Sequence, residues 1–214
     1  MRPLSVSPTV TVLESVQIGR RISLAWDRIG LSLSDMKLPN VVCSLALAGA
    51  ALSAAGGCGV PVNETDNPTA NYLQVSDSIF RGARPDRTAM ERFAAMKFKT
   101  VLNLEDDGGA IDEEKKNAAE LGLEEVVLSM TGSANPDSAT VRSALALLAE
   151  PANFPIFVHC KKGMDRTGAI IAMHRVFNEG WSAKDAHDEM LDRGFDTTLK
   201  LMESYVGQKT GLDN

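Results

Sequence analysis

The stretch Pro155-Ile156-Phe157-Val158-His159-Cys160-Lys161-Lys162-Gly163-Met164-Asp165-Arg166-Thr167-Gly168 decides how this chain is read. An apolar run (155–158) with the character of a buried strand leads straight into a cysteine. A short loop with one glycine follows, and then a helix from Thr167 to Asn178 that is apolar on most of its sides. A strand–loop–helix passage of this kind puts the loop at the carboxyl end of a sheet, where open α/β folds bind ligands. The loop amides can converge as an anion nest beside the positive end of the helix. Arg166 closes the loop, and a planar guanidinium grips two phosphoryl oxygens at once, which an ammonium does not. A thiol in such a field ionises more readily, and the thiolate is the nucleophile. Each residue also has a plainer meaning. A lone cysteine is more often a small buried apolar residue, Gly163 suits any tight turn, and Lys161-Lys162 suits a solvated surface. The catalytic reading rests on the joint occurrence of His159, Cys160, Gly163, Arg166, Thr167 and Gly168 behind one apolar strand.

Working outward, strand and helix signals alternate. Strands are expected at 78–81, 100–104 and 125–128, with 155–158 as the one that carries the loop. Helices are expected from Thr88, opened by a Thr88/Glu91 capping box, through Met96, and then over 111–121 and 138–148. Thr167–Asn178 follows, then a segment capped by Ser182 and Asp185 and ended by Gly194, and finally 197–206. This order predicts an α/β fold: a central, mostly parallel sheet with helices on both faces. The folded domain is expected over 72–214.

The loop resembles the His-Cys-x5-Arg-Ser/Thr signature of the protein tyrosine phosphatase superfamily. Pro155–Val206 is similar to bacterial dual-specificity-like phosphatases and to the atypical plant and fungal ones, among which are tyrosine-phosphatase-like inositol phosphatases. Ile79-Phe80-Arg81-Gly82-Ala83-Arg84-Pro85 resembles the opening strand and turn of that group. The resemblance implies a protein tyrosine phosphatase-like fold and a phosphate monoester hydrolase. In it Cys160 attacks phosphorus and becomes a phosphocysteine, Arg166 binds the phosphoryl group, and Thr167 stabilises the departing thiolate. His159 orients the loop, and the segment Lys161, Lys162, Gly163, Met164, Asp165 and Arg166 cradles the substrate. It implies no metal and no cofactor. Asp137, after Pro136 in the loop that follows strand 125–128, is the first choice for the general acid; its other reading is a cap for the helix at 138. Asp165, inside the loop, is the rival. Arg84 reads as a structural ion-pair partner ahead of a substrate contact.

The substrate stays open at this point. Phosphorylated proteins carrying phosphotyrosine, phosphoserine or phosphothreonine are the main expectation, with inositol polyphosphate as the alternative. A phosphate-binding pseudophosphatase would need a damaged loop, and this one is intact. Across 214 residues the chain is 44% hydrophobic and 23% charged, with a net charge of −6. That balance is ordinary for a globular protein and disfavours general nucleic-acid binding.

The amino-terminal third reads differently. Met36-Lys37, the apolar run from Val41 to Leu52, and Ser53-Ala54-Ala55-Gly56-Gly57 before Cys58 read as an export signal over 36–57 that resembles the lipoprotein type, with Ala55 where leucine is usual; a cleaved signal without lipidation and a buried helix are the alternatives. It implies lipidation of Cys58 and an exported bacterial protein, periplasmic or at the cell surface. Its membrane attachment would run through the amino-terminal lipid alone. Residues 1–35 are then expected to be an upstream extension before the true start, and 58–71 a flexible tether. The protein is expected to be a monomer.

Overall fold

The computed structural model describes residues 67–212. The readings of 1–35, of the signal at 36–57, of Cys58 and of most of the tether lie outside these residues.

Five strands form one sheet: β1 (Leu73–Gln74), β2 (Ile79–Ala83), β3 (Thr100–Asn103), β4 (Glu124–Val127) and β5 (Ile156–Cys160). Their spatial order is β1-β2-β5-β3-β4. Every pairing is parallel except β1 with β2, so the sheet is mostly parallel, as the alternation of elements predicts. β5 is central. It is buried over its whole length, and parallel neighbours place Gly82 and Asn103 on either side of His159. The apolar run 155–158 has no polar alternation because both faces of this strand are covered.

Two helices, α1 (Arg87–Ala95) and α2 (Gly108–Leu121), supply Met90, Phe93 and Ala118 to a cluster with Val101 and Phe157 on one face of the sheet. On the other face lie α3 (Ser138–Ala149), α4 (Asp165–Phe177), α5 (Ala183–Asp192) and α6 (Lys200–Thr210). Their side chains pack with Leu102, Ile156, Val158 and Cys160. Helix α4 is buried on nearly every side, as its sequence indicates.

Several boundaries differ from the expectation. Asp86, not Thr88, caps α1: its carboxylate accepts the Ala89 amide at 2.8 Å. Asp107 caps α2, which therefore starts at Gly108, ahead of the apolar pattern that marks its core face. Helix α6 begins only at Lys200, because the Asp196 carboxylate takes the amide and hydroxyl of Thr198 and fixes a turn there. Ser182 caps α5 as predicted, accepting the Asp185 amide. The folded body also starts before Tyr72. The Ala83 amide donates to the Ala70 carbonyl at 2.8 Å, and Asn71 reaches the loop after β5. The last residues assigned to a tether are therefore part of the domain.

Candidate active site

Side chains alternate along β5. Phe157 and His159 face α1 and α2; Ile156, Val158 and Cys160 face α3 to α6. His159 is fully buried. Its Nε2 lies 2.7 Å from Oε1 of Glu114 on α2, and its ring stacks on Phe157. That pair pins the residue just before the cysteine to a helix on the opposite face. Glu114 was not legible as a partner in the sequence. Cys160 ends the strand as a buried free thiol, 2% exposed.

The loop from Cys160 to Arg166 is held by its carbonyls. The Arg84 amide donates to the Lys161 carbonyl at 3.4 Å, and Asn71 Nδ2 donates to that of Lys162 at 2.9 Å. Arg81 Nη2 donates to the carbonyl of Gly163 at 2.8 Å, with Met164 at 3.5 Å. In a planar trans peptide the N–H points opposite to the C=O. Carbonyls drawn outward by residues 71–84 therefore turn the following amides, those of residues 162–165, to the inner side of the loop. That is the geometry of an anion nest. Gly163 makes it possible: its φ is +72°, and a Cβ there would lie 2.2 Å from the Gly82 carbonyl group.

Arg166 stands in the first turn of α4. Its Nη1 donates to Asp106 Oδ1 at 2.7 Å, to the Met130 carbonyl at 3.0 Å and to the Leu104 carbonyl at 3.4 Å. All three bonds use one nitrogen, which leaves the Nε–Nη2 edge for a two-point grip on phosphoryl oxygens. Thr167 is fully buried, and its hydroxyl has no partner among the described residues. Lys161 and Lys162 are exposed and in no ion pair among the described residues.

The two carboxylates weighed as the acid each accept a backbone amide. Asp137 caps α3, accepting the Thr140 amide at 2.8 Å and its hydroxyl at 3.0 Å. Those hydrogen bonds hold its carboxyl below the usual carboxylate range. Asp165 accepts the Asp196 amide at 2.8 Å and so ties the start of α4 to the turn before α6. Asp106, which no motif singled out, is the carboxylate in contact with Arg166. Arg84 is the ion-pair residue that the sequence suggests, bound through Nε and Nη2 to Glu105 and reaching Asp107 at 3.4 Å.

This strand–nest–helix architecture, with cysteine and arginine at its two ends, is that of a cysteine-based phosphate site. The chain belongs to the tyrosine phosphatase family, whose sequence profile matches residues 68–204. Among curated proteins it is similar to the dual specificity protein phosphatase TpbA of Pseudomonas aeruginosa, with 33% identity over 146 residues, 65% of this chain and 63% of TpbA. It is also similar to the inositol diphosphatase SIW14 of Saccharomyces cerevisiae, with 27% identity over 154 residues, 68% of this chain and 53% of SIW14. The crystal structure of the SIW14 core catalytic domain in complex with citrate matches with a TM-score of 0.57 and 26% identity, over 65% of this chain and 85% of that one. The chain thus spans less than two thirds of the length of either curated relative.

Proposed function

We propose that this protein is a cysteine-dependent phosphatase that hydrolyses phosphate monoesters through a phosphocysteine intermediate, with phosphorylated proteins as its main substrates. The observation that carries the proposal is the loop itself. Its carbonyls are tied outward, its amides face inward above Cys160, and Arg166 presents a free two-nitrogen edge. Phosphoryl transfer needs mainly positioning and charge stabilisation, and this loop supplies both.

In this reading the Cys160 thiolate attacks phosphorus, and the P–O bond to the leaving group breaks as that oxygen takes a proton. Water then attacks the phosphocysteine, and the thiolate departs beside the Thr167 hydroxyl, whose lack of another partner suits that duty. The Glu114–His159 pair keeps the base of the loop in place. Asp137 remains the proposed acid, with Asp165 as rival, and Asp106 joins them as the carboxylate nearest the phosphoryl-binding arginine.

The second reading, an inositol polyphosphate phosphatase, is favoured by two observations: Lys161 and Lys162 are exposed at the loop without ion-pair partners among the described residues, and the similar SIW14 is an inositol diphosphatase. A release assay comparing phosphotyrosine peptides with inositol hexakisphosphate decides between the two. At least tenfold higher kcat/KM on the peptides supports the first reading, and the reverse order supports the second. Release from neither overturns both.

The signal-like segment 36–57 supports an exported protein lipidated at Cys58. Mass spectrometry of the protein from its native host tests this. A chain that begins at a diacylated Cys58 supports it, and an unmodified amino terminus at Met1 or Met36 refutes it.

A further inference from the structure

Beside the catalytic loop, on the side to which its carbonyls point, lies a pocket of about 340 Å³ lined by Asn71, Gly163, Met164, Arg81 and Arg193. Cys160 and Arg166 are not among its walls. Arg81 is 2% exposed, and its hydrogen bonds go to the Gly163 and Met164 carbonyls alone. No carboxylate lies within ion-pair distance of it among the described residues. Glu189, whose charge it feels, is committed to Arg175 through two hydrogen bonds of 2.9 and 2.8 Å. Burial is the largest influence on the Arg81 guanidinium and pushes it down to about 10, with Glu189 and Cys160 opposing and Arg193 and Arg175 reinforcing that shift. Arg193, at the carboxyl end of α5, is exposed; its amide donates to the Glu189 carbonyl at 3.0 Å, and its guanidinium forms no hydrogen bond or ion pair among the described residues. One acidic side chain, the exposed Asp192, also lines the pocket.

A buried cation without an ion-pair partner in contact is costly, and it is stabilised by an anion that also accepts its hydrogen bonds. A concave site walled by two arginines suits the tetrahedral oxygens of a phosphate. We propose that this pocket is a second phosphate-binding site, separate from the catalytic loop and backed by the same carbonyls. Its ligand is a phosphate dianion, either free or carried by a substrate with more than one phosphate. Because Arg81 holds the outer side of the loop, occupancy of the pocket bears directly on the hydrogen bonds that keep the nest in shape.

Calorimetric titration of the full chain with inorganic phosphate tests this. The parent is expected to bind two phosphates. Arg193→Ala should weaken one of them at least tenfold while its kcat on p-nitrophenyl phosphate in phosphate-free buffer stays within twofold. Arg166→Met should lose the other and keep this one. A single phosphate in the parent, or two equally tight in Arg193→Ala, overturns the proposal. If Arg166→Met still binds both, the second site stands and the catalytic reading of the loop fails instead. A higher KM in Arg193→Ala for a bisphosphorylated substrate, but not for a monophosphorylated one, identifies the substrate's own second phosphate as the occupant. Equal KM values identify free phosphate.

Discussion

Replacement of Gly163 by alanine separates the demands of a turn from those of the phosphate loop. At φ +72° an L-residue loses about 1–2 kcal/mol relative to glycine. A second demand is spatial: the new Cβ would sit 2.2 Å from the Gly82 carbonyl carbon and oxygen and 2.6 Å from the Ala83 nitrogen, where contact begins near 3.4 Å. All three are backbone atoms of a strand paired with β5, so no side chain can swing aside. The loop must move away from β2 by about 1 Å, a displacement that costs on the order of 100-fold in rate at an active site. Gly180 is the control. Its φ is +76°, but a Cβ there meets nothing within 4 Å. Gly180→Ala should therefore lower stability by about 1 kcal/mol and leave turnover unchanged. Gly163→Ala should lose about 100-fold in kcat/KM on p-nitrophenyl phosphate while circular dichroism shows a folded protein. Equal activity in the two variants would refute the claim that close contact with β2 shapes the nest.

Three further outcomes follow from the carboxylates. Asparagine caps a helix about as well as aspartate but has no acidic proton to give. If Asp137 is the acid, Asp137→Asn should keep its melting temperature and lose roughly 10²–10⁴-fold in kcat on alkyl phosphates, with a smaller loss on p-nitrophenyl phosphate; parent-like rates would leave Asp137 a cap only. Asp106→Asn removes the charge that holds Arg166 Nη1, so KM for phosphate esters should change at least threefold in either direction; an unchanged KM would mean that the pair does not position the arginine. Burial raises Glu125 from 4.5 to about 7. The folded state then keeps a proton that the unfolded chain releases, so this contribution to stability is full below pH 4.5 and falls as pH rises through 7. Glu125→Gln should match the parent at pH 4 and gain about 1 kcal/mol by pH 8, a value discounted because the group is only half buried. Identical melting curves at pH 8 would contradict it.

The parts of this architecture that were legible in the sequence are those encoded by neighbours in the chain. Strand β5, the loop and α4 form one continuous stretch, and the catalytic residue types within it are few and closely spaced. Asp106 and Glu114 were not legible, because parallel pairing of β3 with β5 brings them to the loop across more than forty positions of chain. The capping of α1 was misplaced for a local reason: Asp86 and Thr88 are both good caps, and where β2 ends decides between them. Strand β1 has only two residues, too few to show a period, yet it anchors the segment whose Asn71 holds the Lys162 carbonyl.

The central claim is a covalent phosphocysteine at Cys160, and rapid-quench mass spectrometry of the full chain during turnover of p-nitrophenyl phosphate tests it most directly. The expected result is one phosphate on the peptide containing Cys160, with neither adduct nor turnover in Cys160→Ser. Turnover that persists in Cys160→Ser, or a phosphate carried by any other residue, would contradict the account.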